Sequence, residues 1–543
     1  VLVTSHVSRS RLAALVAAPA LALGALAAVP APSYAVVDPA PATSGAAWLA
    51  GELEDGLVVG EFGPDYGLTI DTALALLAVD AQPDAVAAIR TAVEADVDDY
   101  VTGEAFGDAG SLYAGALAKA AAFAQAVGAD PTAFGGRDLV ADLETVASDA
   151  AGIQGRLQDV SSFGDFANTI GQSFAVRALT AAGSAEADEA TDFLLAQQCD
   201  EGFFRLSFAA ADAADQDCDA DPAAEGSTDV TAFALMALAA QAAPGTQADV
   251  DAAIASGTAW LVETQGADGS WGGDAPTTAP NANSTGLAGW VLSELDGAGA
   301  AAAAERAAGY VRGLQADDVA PCVTGLADET GAIAYDQAGL TSARADGVGA
   351  LRDQFRRTTA QALPALLVAQ TGSYTSEPTS RSAFVKARQP VDLPVDSLAP
   401  GETVCFSRGA SRTVANADVD GTAVGRPTLP RGSGTRTFDV TTADGAFGSI
   451  SVRALDRTRF ASTIKARTVA ANEQQRITVR GLTRGESITV RYQGRAIKRA
   501  IARKPSFSTA FDVTPAPGPQ RVQVFGEFGN RKAVEKFRVV KAR

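Results

Sequence analysis

The stretch GTAWLVETQGADGSWG, residues 257–272, carries a helix into a tight turn and out onto a large apolar ring. Trp260 and Leu261 sit near the end of a helical run that stops at about Gln265, and a Gly-Ala-Asp-Gly turn leads to Trp271. Such a ring is normally buried, so the turn packs against something. The same spacing recurs with substitutions in FLLAQQCDEGFF (193–204), where Gln198, Gly202 and Phe204 take the places of Gln265, Gly269 and Trp271. Trp48-Leu49 and Tyr310-Val311 with Gln315 keep fragments of it. A helix end and turn used more than once mark an internal repeat.

Working outward, six segments share a turn followed by an apolar helix rich in small residues. They are GLTIDTALALLAV (67–79), GSLYAGALAKAAAF (110–123), NTIGQSFAVRAL (168–179), GSTDVTAFALMAL (226–238), NANSTGLAGWVLSEL (281–295) and RTTAQALPALLV (357–368). Most open with Ser, Thr, Asp or Asn, the residues that cap helix N-termini. A more polar helical stretch precedes each. Alternating apolar and amphipathic helices predict two concentric layers, and six pairs over residues 44–370 predict an α6/α6 toroid. The N-terminal ends of the inner helices are then expected to line one mouth of a central cavity, where their dipoles favour polar or anionic groups.

After a linker at 371–382 the pattern changes to short alternating runs such as TRTFDVTT, SISVRAL and SITVRYQG, which read as strands. SLAPGETVCFSRG (397–409) parallels GLTRGESITVRYQG (481–494), so two Ig-like β-sandwich modules are expected, at 383–455 and 456–543. Charge divides the chain in the same way. The net charge is −21, yet residues 451–543 hold 21 basic against 6 acidic residues. That basic last module reads either as a contact for an anionic cell-envelope polymer or as a solvated Arg-rich surface.

Residues 1–35 read as a signal peptide: Arg9 and Arg11 precede the apolar run 12–29, and Ser33-Tyr34-Ala35 offers a small-x-small cleavage site. An exported protein without a transmembrane segment after cleavage is therefore expected, secreted or associated with the envelope. Nucleic acid is not an expected partner. The four cysteines, Cys199, Cys218, Cys322 and Cys405, fit an oxidising compartment. Three pairings are open; Cys199 with Cys218 is favoured because it would staple the loop between them, which leaves Cys322 with Cys405. The one histidine is His6, in the signal segment. Histidine-based nucleophilic triads and His-ligated metals are thereby excluded from the processed chain.

The Trp260-Leu261…Gln265…Gly269-Ser270-Trp271 spacing resembles the QW motif of the terpenoid cyclase and protein prenyltransferase superfamily, and the resemblance covers roughly residues 44–370. It implies an α/α toroid. Protein prenyltransferases hold zinc with Asp, Cys and His, so a processed chain without histidine departs from that activity. Class II cyclases use an Asp-x-Asp-Asp tetrad followed by Thr-Ala at the start of an inner helix. Asp96-Val97-Asp98-Asp99 has the letters, but Tyr100-Val101 follow it and it ends an outer-layer helix, so it is expected on the surface. Thr231-Ala232 place Asp229 on the family's proton-donating position, without its companion carboxylates. A lone Asp is a poor acid for an unactivated alkene, so a degenerate cyclase-like enzyme using Asp229 stands as an alternative.

The expected ligand-binding groups are Asp71, Gln172, Asp229, Asn281 and Asn283 at inner-helix starts, with Tyr113 and Trp290 as cavity walls. Helix capping accounts for several of these without any ligand. Asp215, Asp217, Asp219 and Asp221 alternate in an acidic loop and could hold calcium, but Pro222 stands where an EF-hand loop has Gly, so no cofactor is expected. The leading expectation is a non-catalytic toroid that binds a small hydrophobic or mixed-polarity molecule. A structural cell-surface protein is the alternative.

Overall fold

The computed structural model describes residues 36–241, 247–375, 378–456 and 460–542. The expected signal segment 1–35 lies outside the described residues.

The helices alternate between two layers as the pattern implies. Outer α1 (Ala40–Gly51) precedes inner α2 (Tyr66–Ala78); outer α3 (Pro83–Ala95) and the short α4 (Val97–Val101) precede inner α5 (Ala114–Ala126). Outer α6 (Leu139–Val146), inner α7 (Thr169–Ala182), outer α8 (Ala187–Leu195), inner α9 (Thr228–Ala239) and outer α10 (Ala248–Thr264) continue the alternation. Inner α11 (Ala282–Glu294), outer α12 (Ala300–Gly313), the added α13 (Gln337–Asp346) and inner α14 (Arg352–Ala362) complete it. Each inner helix packs on the next, α2 on α5, α7, α9, α11 and α14 in turn, and α14 returns to α2, so the ring is closed. Outer α3, α6, α8, α10 and α12 each pack on the inner helix before them, and the short α4 packs on α5.

Burial follows layer. In α5, Ala120 to Ala124 are buried without a break. In α3 only the stripe Val86, Ile89 and Val93 is buried. The last inner segment departs from the expected single helix over 357–368. Regular α-helix ends at Ala362 and Leu363–Val368 continues as 3-10 turns, because Pro364 has no N–H to give the helix ladder. Its outer partner is α1 from the other end of the chain. Asp38 N–H donates to the Ala369 carbonyl at 2.7 Å, closing the ring.

The stretch at 257–272 forms a clamp. Gln265 Nε2 donates to the Gly269 carbonyl (3.0 Å) and to the Ala303 carbonyl of α12 (2.9 Å). Trp271 is buried; its backbone N–H donates to Thr285 Oγ1 of α11 (2.9 Å) and its indole N–H to the Leu261 carbonyl (3.0 Å). One amide thus ties a helix end, a turn and the next outer helix together. Gln198 does the same with Gly202 and Ala253, while Phe204 N–H meets Thr231. Gln315 links Gly331 to Pro41 of α1, and Ile333 N–H meets Thr359.

Two β-sandwiches follow. In the first, a five-stranded sheet ordered Phe384–Lys386, Gly445–Leu455, Gly434–Thr442, Thr403–Arg408, Ser411–Asn416 faces the pair Leu393–Val395 and Ala423–Gly425. In the second, a three-stranded and a five-stranded sheet enclose a separate core that includes Ile477, Val490, Val522 and Phe537. Both disulfides form: Cys199–Cys218 staples the acidic loop, and Cys322–Cys405 ties the toroid to the first sandwich. No described helix is long and apolar enough to cross a membrane.

Candidate functional site

The apolar, small-residue inner helices leave a central space between them. Its main chamber, about 420 Å³, is lined by residues from all six: Leu74 and Leu77 of α2, Ala126 of α5, Arg177 of α7, Met236 of α9, Trp290 of α11 and Gln361 of α14 among them. A second chamber of about 370 Å³ lies toward the starts of α5 and α7 and includes Tyr113, Lys119, Asn168 and Ile170. Asp71, Phe174, Phe233 and Gln361 line both chambers, so they form the waist between them. The rings of Phe174 and Phe233 stand 5.5 Å apart there. Grooves of about 570 Å³ exist on the flanks, but loops and outer-layer residues line them.

The main chamber is built mainly from the C-terminal halves of the inner helices, while the second chamber is lined by the starts of α5 and α7. Helix C-termini favour cations, and a cation is present: Arg177. Burial pushes its guanidinium below the ordinary value, and it makes no hydrogen bond or ion pair with a described residue. At the waist the charges are matched. Lys119 Nζ lies 2.7 Å from Asp71 Oδ1 and donates to the Gly67 carbonyl at 3.0 Å. Burial works against the Lys119 ammonium, yet Asp71, together with Tyr100 and Asp65, outweighs it and the pKa stands above the usual lysine value. The chamber therefore pairs a mostly apolar wall with one unmatched positive charge.

Of the residues singled out in the sequence, Asp71 and Trp290 line the main chamber and Tyr113 lines the second. Gln172 is buried in a clamp of its own: it accepts from Leu157 N–H (3.0 Å) and donates to the Gly155 and Ala190 carbonyls. Asn281 caps α11 by accepting from Ser284 N–H at 2.9 Å. Asn283 donates to Gln361 Oε1, and its own Oδ1 has no partner among the described residues.

Asp229 lines neither chamber. It is not the cap of α9 either, because Ser227 accepts from Val230 N–H. Burial first, then Asp274, pushes the Asp229 pKa up against the Ser284 hydroxyl, which lowers it, and Oδ1 has no partner. Asp96, Asp98 and Asp99 are exposed, with Asp98 paired to Arg137 at 2.7 Å; the expected helix end is a junction, since Asp96 separates α3 from α4. In the acidic loop, Asp215, Asp217, Asp219 and Asp221 each accept a backbone N–H from that loop or from Asp200.

Sequence reasoning missed Arg177, Lys119, Phe174, Phe233, Met236 and Gln361. The signal for the two cations was visible, since each is a lone charge inside an apolar inner helix. A search confined to helix starts passes over them.

No protein-family model matches the chain, and no curated protein matches it. Among solved structures it is similar to the type II terpene cyclase MstE from Scytonema, at 16% identity and a TM-score of 0.41 over 60% of this chain and 97% of that one. A protein from Actinoplanes matches at 18% identity and a TM-score of 0.41, over 61% and 99%. The fibronectin(III)-like modules of Clostridium thermocellum CbhA match at 13% identity and a TM-score of 0.19, over 31% and 91%. At these scores the likenesses carry no argument about activity, and the toroid and sandwiches rest on the helix contacts and sheet pairings of this chain.

Proposed function

We propose that the protein is an exported binding protein whose toroid holds a small molecule with an apolar body and one anionic group. The observation that carries this reading is the main chamber: all six inner helices line it, its wall is mostly apolar, and Arg177 is its one unmatched charge. A volume of about 420 Å³ lies within the range of about 300–1,000 Å³ of small-molecule pockets. The half-buried Arg177 guanidinium has no partner among the described residues, so an incoming carboxylate or phosphate would gain charge-assisted hydrogen bonds there without displacing an existing pair. The two disulfides support export, because such bonds persist in oxidising compartments.

Native mass spectrometry of the full chain should show added mass that disappears on denaturation. Calorimetric titration should show saturable binding of dodecanoate and little of dodecylammonium. Arg177→Gln should weaken dodecanoate binding roughly tenfold or more. A bare mass across preparations together with no saturable binding of either amphiphile would sink the reading.

A further inference from the structure

The five-stranded sheet of the last module has, in spatial order, the strands Thr468–Ala470, Lys532–Val540, Gly518–Phe525, Ser487–Tyr492 and Arg495–Ile501. Alternate residues face outward. Those positions bring together Arg491, Arg499, Arg521, Lys532, Lys536 and Arg538, all exposed. None of the six makes an ion pair or side-chain hydrogen bond with a described residue. No aspartate or glutamate occupies an outward position on these strands; Glu535 faces the other way and accepts from the Ser462 hydroxyl at 2.6 Å.

The arrangement works against the sheet that carries it. Arg521 lies directly opposite Lys536 across two paired strands, where like charges destabilise. A surface shaped for solubility alone intersperses both signs. Here the cations form a grid on one face of the sheet, with outward residues about 7 Å apart along a strand and strands about 5 Å apart. Such a grid suits a partner with evenly repeated negative charges.

We propose that this face docks a linear phosphodiester polymer of the cell envelope. Charge complementarity selects a polyanion. Single-stranded nucleic acid is disfavoured because Phe525 is the one aromatic at an outward position on these strands, and the Arg491 guanidinium lies over its ring, 5.5 Å from the centre, so the sheet offers no row of rings for successive bases to stack on. The two disulfides also fit a compartment where envelope polymers are the available polyanions.

The test is a fluorescence-anisotropy titration of labelled poly(glycerol phosphate) with the full chain at several salt concentrations. Binding should weaken roughly tenfold or more between about 50 and 200 mM salt, because bound phosphates release counterions. Lys536→Glu should reduce affinity roughly tenfold while the melting temperature holds or rises, since Arg521 then faces an acid across the strand. That opposite movement separates lost docking from lost folding. Arg476→Glu, on the outward face of the three-stranded sheet, should leave binding within about twofold. Equal loss in the two variants would reduce the effect to net charge and overturn the proposal. So would binding to phosphatidylglycerol vesicles without binding to the polymer, or self-association at low salt through the acidic toroid of a second copy.

Discussion

Asp229 and Arg177 are two charged groups of the toroid that the fold leaves incompletely compensated, and they differ in where they lie. Arg177 faces the main chamber and so is available to a ligand. Asp229 lines neither chamber, and burial holds its pKa above the ordinary aspartate value. The folded state therefore binds that proton more tightly than the unfolded chain. The associated stability is complete below the unfolded pKa and is lost as pH rises through the folded one. Asp229→Asn should match the parent in urea unfolding at about pH 3 and exceed it at about pH 7. No gain at neutral pH would mean that the ionised carboxylate is already well solvated. The sequence pointed to Asp229 by its place beside Thr231-Ala232, but only packing shows that the carboxyl lies off the chambers.

At the scale of elements, the clamp is the unit that builds the ring. Gly269 has a positive φ of 85°, and a methyl there would stand 2.5 Å from the Arg306 carbonyl oxygen of α12. Gly269→Ala should cost about 2–3 kcal/mol in thermal or urea unfolding, from backbone strain together with the clash. Gly128→Ala, also at positive φ (67°) but with open space around it, should cost only the strain, about 1 kcal/mol. Equal losses would mean that the turn does not need its close approach to α12. Two clamps were legible because Gln265 and Gly269, like Gln198 and Gly202, are four residues apart. The Gln315 clamp reaches a glycine sixteen residues on, and the Gln172 clamp takes its amide from an inner helix. Fixed spacing flags Gln315 after Tyr310-Val311 but not its partner Gly331, and it does not find the Gln172 clamp, because tertiary contact brings those groups together and local geometry does not.

Across the whole described chain, the link between toroid and first sandwich is covalent as well as polar. Cys322–Cys405 is joined by Arg344 with Asn416 (3.0 Å) and by Arg412 with the Pro321 carbonyl (2.5 Å). The bridge spans 83 residues of sequence. Replacing both cysteines, Cys322→Ser with Cys405→Ser, should remove about 2–4 kcal/mol and separate the calorimetric unfolding of toroid and sandwich into distinct transitions. One unchanged cooperative transition would show that the noncovalent contacts suffice.

The sequence by itself determined the layered architecture. Burial of small apolar helices, a stripe on each amphipathic one, and strands of period two are local consequences of side-chain chemistry, and 257–272 announced how one helical pair hands over to the next. What only the tertiary structure decided is which polar groups are left without partners. Asn281 and Gln172 are satisfied by backbone, Lys119 by Asp71, and Arg177 by nothing described. Ring closure sets those pairings, because groups from six helices far apart in sequence meet only when α14 and α1 complete the circle.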